Sequence, residues 1–318
     1  MTIRVAVLMD PIASIHVKKD STFAMCLAVQ ARRWSLHYLQ QSDLFVKDGR
    51  VFAIVQPLQV QDDPNQWFTL GKPEEVSLSD FDVILMRKDP PFDIHYIYTT
   101  YMLELAEREG VLIVNKPQSL RDANEKFFTT HFPQCTPPTL VTENSKHIRD
   151  FYDQHRDIIL KPLEGMGGKS VFRVQWDDPN INVIIETLTN SGSIPIIAQT
   201  YISDISKTGD KRILMIDGEP VPYALARIPA KGDSRGNLAR GATGVGVELT
   251  DRDRWICQEV GPRLREKGLI FVGLDVIGEF LTEINVTSPT CIREIDRAFK
   301  TNIADDLLTA IARRLASR

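Results

Sequence analysis

GLDVIGEFLTEINVTS, residues 273–288, reads as two strands joined by a turn at Gly278. Glu283 and Asn285 are two apart on the second strand and so share a face. Asp275 lies on the first strand, and its side depends on the turn. A three-residue loop, Gly278-Glu279-Phe280, sets Asp275 opposite Glu283; a two-residue Gly278-Glu279 turn sends it to the other face. With the longer loop, three oxygen donors converge between the apolar residues Val272, Leu274, Ile284 and Val286. Two carboxylates that close need a cation or a shared proton. Oxygen donors without histidine or cysteine favour Mg²⁺, an ion that commonly bridges nucleotide phosphates. The competing reading is the polar outer face of an ordinary hairpin.

Outward from this stretch, residues 211–216 and 219–227 flank Asp217-Gly218, a strong two-residue hairpin signal. Residues 229–246 hold five glycines with Arg235 and Arg240 among them, and read as a mobile loop able to close over a ligand. Thr250 caps a helix that runs to Lys267, with Gly268 as its stop, and a terminal helix starts near Ile303. Further back, KPLEGMGGKS (161–170) lies between strands 157–161 and 170–174. Gly165, Gly167 and Gly168 let backbone N–H groups turn toward an anion, and Lys161 adds a positive charge. The spacing is not that of a Walker loop, and a plain glycine-rich turn is the rival reading. Lys126, Lys161, Arg212 and Arg227 frame this segment in sequence.

The first third alternates strand and helix: strand 3–9, helix 22–34 capped by Asp20 or Ser21, strand 81–86, helix 96–108 and strand 111–114. This predicts an open parallel α/β sheet with polar clusters at its strand ends, at Asp10-Pro11, Arg87-Lys88-Asp89 and Asn115-Lys116. Ser119 is expected to cap a helix over 120–130, with the proline-rich 133–138 as a linker, after which hairpins mix with helices in an α+β region of two lobes.

The composition suits a globular enzyme: 318 residues, 43% hydrophobic, 25% charged and a net charge of −4, so there is no basic excess to mark a nucleic-acid binder. No stretch approaches the ~20 apolar residues of a membrane span. Cys26, Cys135, Cys257 and Cys291 are scattered, no Cys-x-x-Cys occurs, and the six histidines are dispersed, which argues for reduced thiols, a cytoplasmic setting and no zinc.

Six segments carry a resemblance: MDPIASIHVKKDSTFAM (9–25), MRKDPPFD (86–93), NKPQSLRDANEKFF (115–128), ILKPLEGMGGKSVFRV (159–174), DGEPVPYALARIP (217–229) and EINVTSPTCIREI (283–295). Together the chain resembles the bacterial glutathione synthetases of the ATP-grasp superfamily, over essentially its whole length. Glu164 stands where the resemblance leads one to expect Asp, and RGNLARGATG (235–244) is less uniform than the usual Ala/Gly run. The resemblance implies an N-terminal parallel α/β domain over 1–122, an ATP-grasp small lobe over 123–202 and a large lobe over 203–318 with its lid at 229–246. It implies ligation of γ-glutamylcysteine to glycine through an acyl phosphate, with ATP as co-substrate and Mg²⁺ or Mn²⁺ as the metal. In that reading Lys126, Lys161 and the loop glycines Gly165, Gly167 and Gly168 meet the phosphates. Gln199, Tyr201 and Ile202 line adenine, and Asp210 reaches the ribose. Asp275, Glu283 and Asn285 hold the metal. Arg212 and Arg227 face the transferring phosphoryl group, and Arg235 with Gly241 or Gly244 belongs to the lid. Ile12, Lys18, Arg87, Ser288, Pro289 and Thr290 position the substrates. It further implies a homotetramer with no nucleic-acid or membrane partner. An ATP-grasp ligase with another amino-acid acceptor, and a nucleotide-binding regulator without turnover, are the rival functions.

Overall fold

Residues 5–8, Val-Ala-Val-Leu, are apolar without alternation because this strand lies between two parallel neighbours and is buried on both faces. The computed structural model describes residues 2–165, 167–230 and 241–318. Its N-terminal part comprises β1 (Arg4–Leu8), α1 (Ser21–Ala31), β2 (Ser35–Leu39), β3 (Leu44–Lys47), β4 (Arg50–Val60), β5 (Phe68–Leu70), β6 (Glu74–Ser77), β7 (Val83–Met86), α2 (Ile94–Arg108), β8 (Leu112–Val114) and α3 (Pro117–Asp122). The sheet order is β3-β4-β2-β1-β7-β8, with β5 and β6 also on β4. β1, β7 and β8 run parallel, as expected, and β2, a strand not anticipated at 35–39, joins them in the same direction. The antiparallel extension over 44–77 was not anticipated, although Asp48-Gly49, both at positive φ, is the kind of turn that announces a hairpin.

The expected helix over 120–130 is corrected. It starts at Pro117 and stops at Asp122, and a 3₁₀ turn follows at Phe127–His131. Asn124 Oδ1 accepts from the N–H groups of Lys126 and Phe127, a local turn that competes with the helix ladder.

A four-stranded sheet follows, built from β9 (Thr139–Thr142), α4 (Ser145–His155), β10 (Asp157–Pro162), β11 (Phe172–Gln175), α5 (Ile181–Leu188) and β12 (Ile196–Thr200), in the order β11-β10-β12-β9. The third sheet has five strands, β15-β14-β13-β16-β17. Its elements are α6 (Ile205–Thr208), β13 (Asp210–Ile216), β14 (Glu219–Ile228), β15 (Thr243–Glu248), α7 (Asp251–Glu266), β16 (Phe271–Ile277), β17 (Phe280–Asn285), α8 (Ile292–Phe299) and α9 (Ile303–Ala316). Part of the stretch expected as a loop, 243–246, is strand: β15 pairs β14 from Ile228↔Thr243 to Tyr223↔Glu248. Arg235, Arg240 and most of the expected lid lie outside the described residues.

The 273–288 hairpin resolves its own ambiguity through a bulge. Ile277 pairs Phe280 across the two-residue turn Gly278-Glu279, and Val276 pairs Leu281. The register then shifts, so that Asp275 opposes Glu283 and Thr282 is the extra residue. The short turn alone would have separated the two carboxylates; the bulge restores them to opposed positions.

Apolar packing divides the chain unequally. Two clusters, one on each face of the first sheet, continue into the five-stranded sheet: Leu8, Ile84 and Ile113 pack in one core with Ile213, Leu274 and Ile284, and Val5, Val7 and Phe23 in another with Leu214, Phe271 and the α9 residues Leu307 and Ile311. The four-stranded lobe has a separate core around Ile148, Ile158, Leu160, Val174, Ile185 and Ile196.

Candidate active site

The cleft lies where the separate lobe meets the five-stranded sheet. Its empty volume is about 930 Å³. Lys126, Lys161, Gly165, Gly167, Gly168, Gln199, Tyr201, Ile202 and Asp210, all singled out from sequence for a nucleotide, line it together with Asp275 and Glu283.

The lobe supplies the glycine loop between β10 and β11. Gly165, Gly167 and Gly168 have φ of +87°, +68° and +69°, a backbone conformation that a side chain disfavours. Lys126 reaches from the connecting segment and donates to the Gly165 carbonyl at 2.9 Å. Lys161, at the end of β10, is 7% exposed and, among the described residues, has only the Thr282 carbonyl, at 3.5 Å, to donate to. Burial lowers its pKa, and the Lys126 charge pushes the same way against the pull of Glu283. A buried ammonium with so little compensation is costly unless an anion completes it. Ile159, Val171, Ile202, Ile205 and Ile277 give the cleft an apolar side, a surface suited to a flat base.

The five-stranded sheet supplies the charged floor. β13 aligns Arg212 with Asp275 on β16. Arg212 grips Asp275 in a fork, Nε to Oδ1 at 2.5 Å and Nη2 to Oδ2 at 3.0 Å. Arg227 Nη2 bridges Asp275 Oδ2 at 2.9 Å and Asp210 Oδ2 at 2.5 Å. Burial alone would raise the Asp275 pKa, but the two guanidiniums outweigh it and hold the carboxyl below its ordinary value. Asp210 goes the other way: burial raises its pKa, Asp275 and Glu283 add to the rise, and Arg227 offsets part of it. Asp210 Oδ1 is buried without a hydrogen-bond partner among the described residues. That orphaned acceptor, lining the cleft, fits a hydroxyl donor such as a ribose.

Among the described residues no three His, Cys, Asp or Glu side chains gather as a metal cluster. The expected metal set therefore rests on two carboxylates and an amide. Glu283 meets its nearest cation, Lys126, only at 3.9 Å. Asp275 accepts three of the roughly four hydrogen bonds a carboxylate can take, leaving about one position. Asn285 donates its amide to the Gly273 carbonyl at 3.3 Å. Hard oxygen donors beside a lysine-lined phosphate cradle fit a divalent ion that shares its coordination with phosphate.

The expected substrate residues fall into two groups. Arg87 is buried beyond β7, donates to Thr22 Oγ1 at 3.0 Å and to the Pro289 carbonyl at 2.9 Å, and so meets the Ser288-Pro289-Thr290 turn. That turn is close to Arg212: a Cβ on Gly273 would stand 2.8 Å from Arg212 Cδ and 3.1 Å from Pro289 Cβ. Ile12 is buried, with its carbonyl accepting from Trp67 Nε1 at 2.9 Å. Lys18 is exposed in a different cleft, beside His16, Lys19, Asp62, Arg293 and Arg297.

Sequence reasoning passed over two polar residues here. Thr282 became visible only with the bulge, its hydroxyl donating to the Asp275 carbonyl at 3.1 Å. Glu125 lay inside an expected helix, where a glutamate draws no notice. The apolar residues Ile159 on β10 and Val171 just before β11, on either side of the glycine turn, were a signal that could have located the apolar side.

Two lobes closing on lysines, a glycine loop and a carboxylate–arginine floor define an ATP-grasp ligase, which uses ATP with a divalent metal to join a carboxylate to an amine. The fold agrees with solved ligases. A D-cycloserine synthetase superposes with a TM-score of 0.69 at 15% identity, covering 98% of this chain and 99% of that one. The ATP-grasp ligase PsnB, solved with minimal precursor, Mg and ADP, gives 0.63 at 14% identity, with 98% of each chain covered. The profile described as "Prokaryotic glutathione synthetase, N-terminal domain" matches residues 3–121, and "Prokaryotic glutathione synthetase, ATP-grasp domain" matches 125–300. The glutathione synthetase of Pseudomonas aeruginosa is 62% identical over 318 residues, 100% of both chains, and that of Coxiella burnetii 55% identical over 317 residues, 100% of this chain and 98% of the other. The chain belongs to the prokaryotic glutathione synthetase family. No helix among the described residues is long and apolar enough to cross a membrane.

Proposed function

We propose that this chain makes glutathione by activating the cysteinyl carboxylate of γ-glutamylcysteine with ATP and transferring it to the amine of glycine, with Mg²⁺ as the divalent ion. A carboxylate carbon is not electrophilic. Phosphorylation converts it to an acyl phosphate, and attack by glycine then releases phosphate. Both steps build negative charge, so catalysis rests on placed positive groups.

Lys126 and Lys161 hold the phosphates of ATP, with the backbone of the glycine loop turned toward them. Gln199, Tyr201 and Ile202 border the base, and the unpaired Asp210 Oδ1 takes a ribose hydroxyl. Glu283, Asn285 and the remaining acceptor position of Asp275 would hold the ion, which would neutralise phosphate charge. Arg212 and Arg227 spend their Nε and Nη2 groups on Asp275 and Asp210. Each guanidinium is thereby fixed, and its Nη1 is left to meet the transferring phosphoryl group. Arg87, the 288–290 turn and Ile12 bind the two amino-acid substrates; Lys18 stands in a different cleft and would have to move to join them. Residues 229–246, Arg235 among them, serve as the lid that keeps water from the acyl phosphate. The division into 1–122, 123–202 and 203–318, a cytoplasmic setting, a homotetramer, and the absence of nucleic-acid or membrane partners belong to the same reading.

The observation that carries the proposal is the buried, barely compensated Lys161 facing a floor where Asp275 and Asp210 are already matched by Arg212 and Arg227. The triphosphate of ATP is an anion of the reach and charge to complete that ammonium. The test is incubation with ATP, Mg²⁺, γ-glutamylcysteine and each of several amino acids, with the product identified by mass. Glutathione with ADP is expected from glycine. ADP formation with glutamate or alanine but not glycine would replace the acceptor.

A further inference from the structure

Between the metal-side residue Asn285 and the substrate turn at Ser288 lie only Val286 and Thr287. Every hydrogen-bonding group described on Val286 goes to a side chain outside the five-stranded sheet. Its N–H donates to Glu125 Oε1 at 2.8 Å, and its carbonyl accepts from Asn115 Nδ2 at 2.7 Å. Thr287 donates twice to the same Glu125 oxygen, from its N–H at 3.1 Å and its hydroxyl at 2.9 Å. The Glu125 carbonyl accepts from Ile284 N–H at 2.9 Å. Asn115 also exchanges two bonds of 2.8 Å with the backbone of Phe271, at the start of β16.

β17 is an edge strand, and an edge is a row of unpaired backbone groups. Here the connecting segment covers it: Cys135 accepts from Leu281, and Glu125 from Ile284, Val286 and Thr287. Three donors on one side-chain oxygen, from two successive residues, tie this stretch of backbone to a single carboxylate. The Glu125 side chain does this without being what positions its neighbour. Lys126 N–H is held by Asn124 Oδ1, and Lys126 Nζ by Gly165.

We propose that Glu125, backed by Asn115, is a positioning residue for the ligase reaction: it clamps Val286–Thr287 and so fixes the 288–290 substrate turn relative to Asn285 and the phosphoryl-transfer floor. The clamp rests on the function proposed above. It predicts that loosening the segment misaligns the acceptor and the carboxylate while nucleotide binding stays intact. Misplacement of order 1 Å at a reacting pair can cost about 10²-fold in rate.

The test compares wild type with Glu125→Ala, Glu125→Gln and Thr287→Val, measuring KM for γ-glutamylcysteine and glycine, the ratio of glutathione to ADP, ATP affinity by titration, and Tm. Glu125→Ala is expected to raise both amino-acid KM values about tenfold or more and to lower the glutathione-to-ADP ratio, with ATP affinity within about twofold. Glu125→Gln keeps an oxygen for the same three donors and should recover most of the loss. Thr287→Val removes one donor and should fall between. Unchanged KM values and ratio in Glu125→Ala overturn the clamp. So does a loss of ATP affinity in step with Tm, which marks a merely structural residue, and so does Glu125→Gln as damaged as Ala. If Glu125→Ala does not fold, Thr287→Val decides, and wild-type KM values there overturn the clamp. A wild-type enzyme that forms no glutathione sinks the clamp and the proposed function together, whereas an active wild type with unshifted variants sinks the clamp alone.

Discussion

The small four-stranded lobe and the rest of the molecule are stabilised on different scales. The lobe has one modest core of its own. The first sheet and the five-stranded sheet share two larger cores that cross between them. The cleft runs along the seam, and its positive, glycine-rich side belongs mainly to the lobe while its carboxylates belong to the shared body. A site split in this way can open and close by moving the weakly attached half, and the half that carries the carboxylate floor stays rigid.

The largest expected break in this contrast is chemical. Lys161→Met should slow turnover by about 10²–10³, the cost of losing one placed donor at a developing charge, while the Tm without nucleotide holds or rises, because a buried ammonium is removed. A large fall in Tm would mean that Lys161 supports the fold. Next comes packing. Leu160→Ala and Leu274→Ala should each cost about 2–5 kcal/mol. Hydrogen exchange should speed up only within 139–200 for Leu160→Ala but across both larger sheets for Leu274→Ala. Identical exchange patterns would erase the contrast. Saturating ATP sharpens it: at about 100 times Kd the gain is roughly 2.7 kcal/mol, and slowed exchange should concentrate on β10, β11 and the glycine loop.

A pH dependence follows from Lys161. Its pKa in the fold lies below the ordinary 10.5. Between the folded and unfolded values the unfolded chain binds more protons, so the nucleotide-free protein gains stability as pH rises through that window. Bound phosphates favour the ammonium, so ATP binding at alkaline pH should take up protons, seen as a buffer-dependent heat in calorimetry, and lose affinity as Lys161 deprotonates. The smallest effect is expected at the lobe's surface. Arg173→Ala removes the exposed Asp157 pair, at 2.6 Å, and should shift stability by at most about 1 kcal/mol.

The contrast between the two regions was partly legible in the residues. The unbroken apolar runs of β1 and β7, and Asp217-Gly218 between β13 and β14, announced the parallel sheet and the central hairpin, because burial on both faces and a two-residue turn leave direct marks. Lys161 and the three glycines were legible for the same reason, since positive φ selects glycine. The added strands over 44–77 were legible at Asp48-Gly49 alone. What could not be read is what depends on register across the chain. The Thr282 bulge that opposes Asp275 and Glu283, the pairing of Arg212 and Arg227 with Asp275, and the Glu125 bonds to Val286 and Thr287 all join residues whose meeting no local pattern encodes.

The helix α9 has a consequence for how the molecule comes into being. Its Leu307, Leu308 and Ile311 share one core with Val5 and Val7 of β1 and Phe23 of α1, and Arg32, just past α1, reaches Asp305 at 2.5 Å. Arg32 and Asp305 lie 273 residues apart, so the core shared by β1 and α1 waits on the order of tens of seconds at ordinary synthesis rates before α9 can complete it. Until then the earliest-made strands are a sticky half-product, a natural client for a holding chaperone, and trimming α9 should yield insoluble protein even though it touches none of the chemistry.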